Sequence, residues 1–187
     1  MRGLLAEKFE FYTPNSNGKT YYTFKLGSIW GVLLDCGEDK PDTSDEYGHT
    51  ICCHPFRCEQ TGYIKNLAVK DAKHKVVVSH IPFTFTKKEK FDIERELYAE
   101  WAKLLKDTVN PEVMICGHEH GLEISEPGDE RDSLGHPCTV VVGGDVKSQP
   151  PTYEIIYYAG AGFVFGESDV TAVFTDSKGK ILKRTKI

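Results

Sequence analysis

The sequence predicts an α/β (α+β) fold with a mixed β-sheet or two stacked sheets. Strand and helix patterns alternate between residues 29 and 116, whereas strand patterns alone fill the chain from residue 139 onward. The 187 residues fit one domain, because domains usually span about 100–200 residues and a chain of that length buries a full core. The content of 40% hydrophobic and 27% charged residues is typical of a globular protein.

Charge and hydropathy argue against some classes of partner. The formal net charge of −5 disfavours a nucleic-acid surface as the main binding site, although a local basic patch stays open. No apolar run approaches the ~20 residues of a membrane span. The first seven residues lack the apolar core of a signal peptide. We therefore expect a cytoplasmic protein that binds neither nucleic acid nor membrane.

The amino-terminal part of the sequence is typical of β structure. Residues 9–12 and 21–26 flank an Asn/Gly-rich turn at residues 15–18, which predicts a hairpin because Asn and Gly tolerate positive φ. Residues 29–34 form an almost continuous apolar run, which predicts a strand buried on both faces. Residues 38–57 show no periodicity and predict a long loop.

Two amphipathic helices and two short strands follow. The apolar positions predict a helix over residues 57–72 and a β-branched strand over residues 75–80. Residues 86–89 match a capping box, and the helix that it opens is expected to run to about residue 107. Residues 113–116 predict another buried strand.

The remainder predicts antiparallel β structure. Five short runs share apolar or β-branched character, and the last two flank a turn of hairpin type. They cover residues 139–142, 154–158, 162–165, 170–174 and 180–183.

Six cysteines would allow disulfides, but a chain of this size does not need them. We therefore expect reduced thiols, with Cys116 packed as a small hydrophobe. One local cluster invites a zinc interpretation, although its spacing differs from the two separated ligand pairs of a finger or ribbon. We favour a thiol-rich loop near a helix start for this cluster, whose members are His49, Cys52, Cys53, His54 and Cys58.

Three of the seven histidines follow predicted strands. His80 ends one strand, and His118 and His120 follow another within a turn bracketed by Gly117 and Gly121. Ligands of α/β sheets gather at the carboxyl ends of strands, and neutral imidazole suits zinc, iron and similar ions. We expect the two glycines to give the turn its sharp bend. The other four histidines, at positions 49, 54, 74 and 136, are expected at the surface or in loops.

These histidines lie in segments that resemble a known family. The run VVSHIP at residues 77–82 and the run ICGHEH at residues 115–120 resemble the last two motifs of the calcineurin-like metallophosphoesterases. Residues 21–39 are similar to the region between the third and fourth motifs, notably in bacterial members that resemble purple acid phosphatases. Glu59 and Gln60 resemble part of the helix that precedes the fourth motif.

The resemblance implies a four-layer αββα sandwich with mixed sheets and a binuclear metal site. By that resemblance, His80 and His118 bind one metal and His120 binds the other, with manganese, iron or zinc as the ions. The implied reaction is hydrolysis of a phosphomonoester or phosphodiester by a metal-bridging hydroxide. Two ions ~3.5–4 Å apart lower the pKa of water and stabilise phosphoryl charge.

The first three family motifs do not occur in this sequence. They are Asp-x-His, Gly-Asp-x-x-Asp and Gly-Asn-His, and they supply the bridging carboxylate and the leaving-group histidine. The resemblance therefore implies that residues 1–187 are a partial domain, the carboxyl-terminal half, with weak or absent metal binding alone and no assigned catalytic residue. Activity would require the missing amino-terminal half. The alternative is a non-catalytic module of the same fold that forms a homo-oligomer or binds a partner.

Overall fold

The computed structural model describes residues 19–47, 52–85, 94–149 and 154–187. Two α-helices lie in these parts of the chain, α1 (His54–Lys65) and α2 (Arg95–Thr108), and a short 3-10 helix spans Asp45–Tyr47. Neither α-helix is long and apolar enough to cross a membrane. The strands are β1 (Tyr22–Leu26), β2 (Ile29–Leu34), β3 (His74–Ser79), β4 (Val113–Cys116), β5 (Leu122–Ser125), β6 (Thr139–Gln149), β7 (Glu154–Phe165), β8 (Val170–Asp176) and β9 (Ile181–Lys186).

The nine strands form one mixed sheet. Its order is β1-β2-β3-β4-β6-β7-β8-β9, and β5 pairs with β6 beside this path. The four strands β2, β3, β4 and β6 run parallel, whereas all other pairs are antiparallel. The predicted α/β class is therefore confirmed.

Strand β6 connects the parallel half of the sheet to the antiparallel half. Its first residues, 139–142, pair with β4, and residues 144–149 pair with β7. A Cβ atom at Gly143 would collide with the side chain of Ala161 in β7. Glycine is therefore required where the two strands approach closely.

One core lies between the helices and one face of the parallel strands. Val77 and Met114 point to this side, because successive side chains of a strand alternate between faces. They pack with Ile64 of α1 and with Trp101 and Leu105 of α2, all of them buried. The two helices are also joined by a hydrogen bond in which Trp101 Nε1 donates to the α1 hydroxyl Thr61 Oγ1 at 2.9 Å.

A second core lies on the opposite face of the same strands. Val76, Val113 and Val141 pack there against the β8 side chains Ala172 and Phe174. The antiparallel strands therefore fold back over the parallel ones. The described residues form three layers, helices, parallel sheet and antiparallel sheet, of the four that the resemblance implies.

Several predicted boundaries shift. The first helix spans residues 54–65 rather than 57–72, because Pro55 occupies its first turn and the helix ends at Asn66. The runs at 154–158 and 162–165 belong to one strand, β7, which pairs continuously with β8 from residue 159 to 165. Strand β6 continues past residue 142 to Gln149. The second strand of the predicted hairpin corresponds to β1 (Tyr22–Leu26). Its first strand and turn, at residues 9–18, and the capping box at residues 86–89 lie outside the described residues.

Two histidines that were expected at the surface or in loops are buried, and one of them, His136, does lie in a loop. His74 is 1% exposed, and its Nδ1 lies 2.9 Å from Glu112 Oε2 while its Nε2 lies 2.8 Å from the Gly166 carbonyl oxygen. His136 is also 1% exposed, with Nε2 3.1 Å from Ser125 Oγ. Polar partners that lie 38 and 92 residues away make the burial of His74 possible, so the flanking lysines at 73 and 75 misled the sequence prediction.

The pair of acceptors around His74 gives a testable pH dependence. The Gly166 carbonyl and, next, the Glu112 carboxylate raise the pKa of His74 above 6.5, because both ring nitrogens face oxygen and favour the imidazolium. The stabilisation is therefore complete below pH 6.5 and is lost as pH rises through the higher pKa of the folded state.

We expect His74→Gln to lower the free energy of unfolding by about 1–3 kcal/mol in mildly acidic buffer. The difference from wild type should shrink as pH rises into the alkaline range. Urea unfolding of both proteins over this range measures it, and the comparison cancels the titration of the other histidines. A difference that is constant with pH would contradict the ionic role of His74.

Candidate functional site

Three parallel strands bring their carboxyl ends to one edge of the sheet. The loop after β2 carries Asp39, His80 directly follows β3, and His118 follows β4. Strands β3 and β4 are neighbours in register, with Val78 opposite Ile115. Beyond the strands, the Gly117 backbone N–H donates to the His80 carbonyl oxygen at 3.0 Å, which holds the two histidine segments side by side.

The side chains at this edge approach one another. The His80 and His118 rings have centroids 5.4 Å apart and planes at 82°. His118 Nε2 lies 3.7 Å from Asp39 Oδ2. His80 and His120 are exposed, and His118 is partly buried. Two imidazoles and one carboxylate thus meet at a solvent-accessible edge, with the exposed His120 two residues further along the turn, and such groups ligate zinc, iron and manganese.

The turn that carries His118 and His120 bends in an unexpected way. Gly117 and Gly121 were expected to adopt the unusual backbone conformation, but φ is +67° at His118 and +49° at His120. The left-handed region costs a non-glycine residue roughly 1–2 kcal/mol. The histidines therefore carry backbone strain that the neighbouring glycines do not relieve, a feature found at functional sites.

Arg131 supports this turn from one side. Its Nη2 lies 3.0 Å from Glu119 Oε2, and its Nε lies 3.2 Å from Glu123 Oε2. The guanidinium also sits 4.6 Å from the centre of the Phe85 ring, which stacks on His136. Glu119 lies between the two histidines in sequence, so Arg131 fixes the middle of the turn.

Arg57 supports the loop that carries Asp39. Its guanidinium is completely buried and donates to the carbonyl oxygens of Cys36 and Glu38 at 2.8 and 2.7 Å. It also donates to Glu94 Oε1 at 2.7 Å. The sequence prediction missed this residue, because charged residues near a helix start are normally solvated.

Asp39 was also missed as a site residue. The rule that selected the histidines, a polar residue just after a buried strand, applies equally to the acids that follow β2. Asp35 and Asp42 follow the same strand but have structural roles. Asp35 Oδ1 accepts from the Gly37 N–H, and Asp42 accepts from the N–H groups of Cys53 and His54 at the start of α1. Only the tertiary structure shows that Asp39, rather than Asp35 or Asp42, lies close to His118.

The donor atoms do not yet amount to a complete metal site. Within residues 19–47, 52–85, 94–149 and 154–187, no three His, Cys, Asp or Glu side chains converge in a way that could hold an ion. The chemistry of the donors at the strand edge suits a metal, but their number and placement do not.

The same finding covers the described members of the thiol-rich cluster, Cys52, Cys53, His54 and Cys58, whereas His49 lies outside the described residues. All six cysteines are free thiols.

The chain has an α/β fold built on one mixed sheet. It is similar to purple acid phosphatase PPD1 from yellow lupin (Lupinus luteus) seeds, with a TM-score of 0.56 and 13% identity over 99% of this chain. The chain spans only 35% of that enzyme. A Vps29 double mutant from Entamoeba histolytica aligns with a TM-score of 0.36 and 15% identity, over 94% of this chain and 64% of that one. No protein-family model matches the sequence, and no curated protein does.

The strain at His120 is open to a direct test. We expect His120→Gly to be more stable than His120→Ala by about 1 kcal/mol, because both variants lose the imidazole and only glycine adopts positive φ freely. Urea unfolding measures the difference. The same pair at Lys103, an exposed position in the middle of α2, serves as control and should show alanine ahead by about 1 kcal/mol. If alanine is also the more stable residue at position 120, the left-handed conformation of His120 is wrong.

Proposed function

We propose that this chain supplies the histidine side of the metal site of a calcineurin-like metallophosphoesterase, an enzyme class that hydrolyses phosphomonoesters or phosphodiesters. The observation that carries the proposal is the approach of His80 and His118, 5.4 Å apart at the ends of adjacent parallel strands. The likeness of the fold to a purple acid phosphatase supports it.

The proposed roles follow the family resemblance. His80 and His118 ligate one ion and His120 ligates the second, with manganese, iron or zinc as the candidates. Asp39, 3.7 Å from His118, orients that ring or adds an oxygen ligand.

The remaining ligands come from outside this set. Catalytic zinc alone normally takes three protein ligands, and a binuclear site also needs a bridging carboxylate. Among the described residues no three potential ligands converge on one point, and the sequence lacks the three motifs that would supply the bridging carboxylate. We infer that residues 1–187 act as the carboxyl-terminal half of the domain in the cytoplasm. An amino-terminal half is then the partner that completes the site.

We expect weak Mn²⁺ binding that is localised to the strand edge. In an NMR titration of the histidine side chains, paramagnetic Mn²⁺ should broaden the signals of His80, His118 and His120 and leave that of the buried His74, at the opposite end of β3, sharp. EDTA should reverse the effect, and His118→Ala should weaken it, because one of the few ligands is gone.

An assay of aryl phosphate hydrolysis on the same samples tests competence. The isolated chain should not exceed the background rate of the metal ion in buffer. If the wild-type chain hydrolysed the aryl phosphate and His118→Ala abolished that activity, the chain would be catalytically competent without an amino-terminal half. Broadening that is uniform over all histidines, or absent, would refute the ligand assignment.

A second candidate function is self-association, and one surface favours it. On the outer face of the antiparallel strands, Val146 of β6 lies opposite Tyr158 of β7, and Val164 follows on the same strand. These side chains are 45%, 56% and 56% exposed, although strands of this kind usually bury apolar side chains against another layer.

We propose a second copy of this chain as the occupant of that face. The last eleven residues carry five cations and no acid, at positions 178, 180, 183, 184 and 186. Because the net charge of the whole chain is −5 and these residues carry +5, the rest of the chain carries a formal charge of −10. A basic strip beside an apolar face therefore complements the acidic surface of another copy.

Light scattering after size-exclusion chromatography tests this association. Wild type should exceed monomer mass at high protein concentration, and Val164→Lys should be monomeric, because the new charge lies in the contact. Leu26→Lys is the matched control, since Leu26 is 70% exposed on β1, at the other end of the strand order. A monomeric wild type, or equal loss of association in both variants, would refute the proposal.

A further inference from the structure

The first turns of α1 carry an exposed histidine and an exposed cysteine on one face. His54 and Cys58 are four residues apart, a spacing that makes side chains neighbours on a helix. Cys58 Sγ lies 3.5 Å from His54 Nε2, within reach of a hydrogen bond to sulfur. The proton of the thiol therefore has an acceptor beside it.

The other nitrogen of the same imidazole faces a carboxylate. His54 Nδ1 lies 3.2 Å from Glu94 Oε2, and this oxygen is buried with no hydrogen bond among the described residues. The second oxygen, Glu94 Oε1, accepts a hydrogen bond from the buried Arg57 at 2.7 Å. Arg57 thus fixes the position of the Glu94 carboxylate. A small rotation of the exposed His54 ring would let its Nδ1–H donate a hydrogen bond to Glu94 Oε2.

We propose that Cys58, His54 and Glu94 form a thiol–imidazole–carboxylate relay that makes Cys58 a modification site for hydroperoxides. The arrangement of nucleophile, base and orienting group is the one that activates nucleophilic side chains in enzymes. This site is distinct from the strand edge and does not depend on the phosphoesterase proposal. A hydroperoxide is small and diffuses to the sulfur directly, because both Cys58 and His54 are exposed to solvent.

The reaction balances with the peroxide as the only co-reactant. His54 Nε2 accepts the Cys58 thiol proton, and the thiolate attacks one peroxide oxygen. The O–O bond breaks, the second oxygen leaves as hydroxide, and His54 returns the proton to it. For hydrogen peroxide the products are the Cys58 sulfenic acid and water, so the sulfur loses two electrons and the peroxide gains two. The Glu94 carboxylate stabilises the transient imidazolium.

The other thiols of the chain lack this combination. Burial raises the pKa of Cys36 to about 11, and it also raises the pKa of Cys53, Cys116 and Cys138. A buried thiol of raised pKa reacts slowly, because the thiolate is the nucleophile. Cys52 is exposed like Cys58, and within the part of the chain that the structure describes its side-chain partner is the Asp42 carboxylate. Cys52 therefore serves as an internal control, an exposed thiol beside a carboxylate.

The test is site-resolved oxidation. The reduced full-length chain is treated with hydrogen peroxide in EDTA, sulfenic acid is trapped with dimedone, and labelling of each cysteine is followed by mass spectrometry. We expect Cys58 to be labelled faster than Cys52 by about tenfold or more. His54→Ala should bring Cys58 down to the rate of Cys52, and Glu94→Gln, which keeps an oxygen for Arg57, should give an intermediate rate.

Two controls separate activation from structure. Cys52→Ser should leave the Cys58 rate unchanged, because Cys52 takes no part in the relay. His54→Ala should leave the urea unfolding midpoint unchanged, because the side chain is largely exposed. Equal labelling of Cys58 and Cys52 in wild type would overturn the proposal, and so would a Cys58 rate that His54→Ala does not alter.

Discussion

The parallel pairing of β2, β3 and β4 is the constraint on which the rest of the structure depends. These strands are buried on both faces, with helices on one side and the antiparallel strands on the other. Their common direction forces Asp39, His80 and His118 to the same edge, because each follows the carboxyl end of its strand. A register shift of one residue in β3 would exchange its two faces and remove valines from both cores. The candidate site and the core therefore depend on the same hydrogen-bond ladder.

Buried charge fixes the loops around this edge. Arg57 is enclosed and binds two carbonyl oxygens of the loop after β2 together with Glu94 ahead of α2. Removing one partner of such a buried pair typically costs about 3–5 kcal/mol, because an uncompensated charge remains. Glu94 and the loop are consequently held in one arrangement. The same guanidinium thus serves two sites, the strand edge through Glu38 and the Cys58 relay through Glu94.

The strand edge has the right donors for a metal but too few of them. Three imidazoles divided between two ions leave each ion with fewer protein ligands than catalytic zinc takes. The outer face of the antiparallel strands is a second unusual feature, because Tyr158 and Val164 are each 56% exposed there. The proposed amino-terminal half would complete the strand edge, and the proposed second copy would cover the outer face.

Most of the elements could be predicted from the sequence, because burial periodicity and turn residues are local signals. The α/β class, strands β2 and β4 and the two helices follow from them, as does the position of His80 and His118 at strand ends. The burial of His74 could not be predicted, since its partners Glu112 and Gly166 lie 38 and 92 residues away. The left-handed backbone at His118 and His120 could not be predicted either, because the glycines on both sides of them are the residues that usually adopt it. By itself the sequence determined which segments form strands and helices and which histidines end them. Only the tertiary structure decided which charged groups are buried, which carboxylate approaches His118 and which imidazole meets Cys58, because those outcomes depend on contacts between segments that no local pattern records.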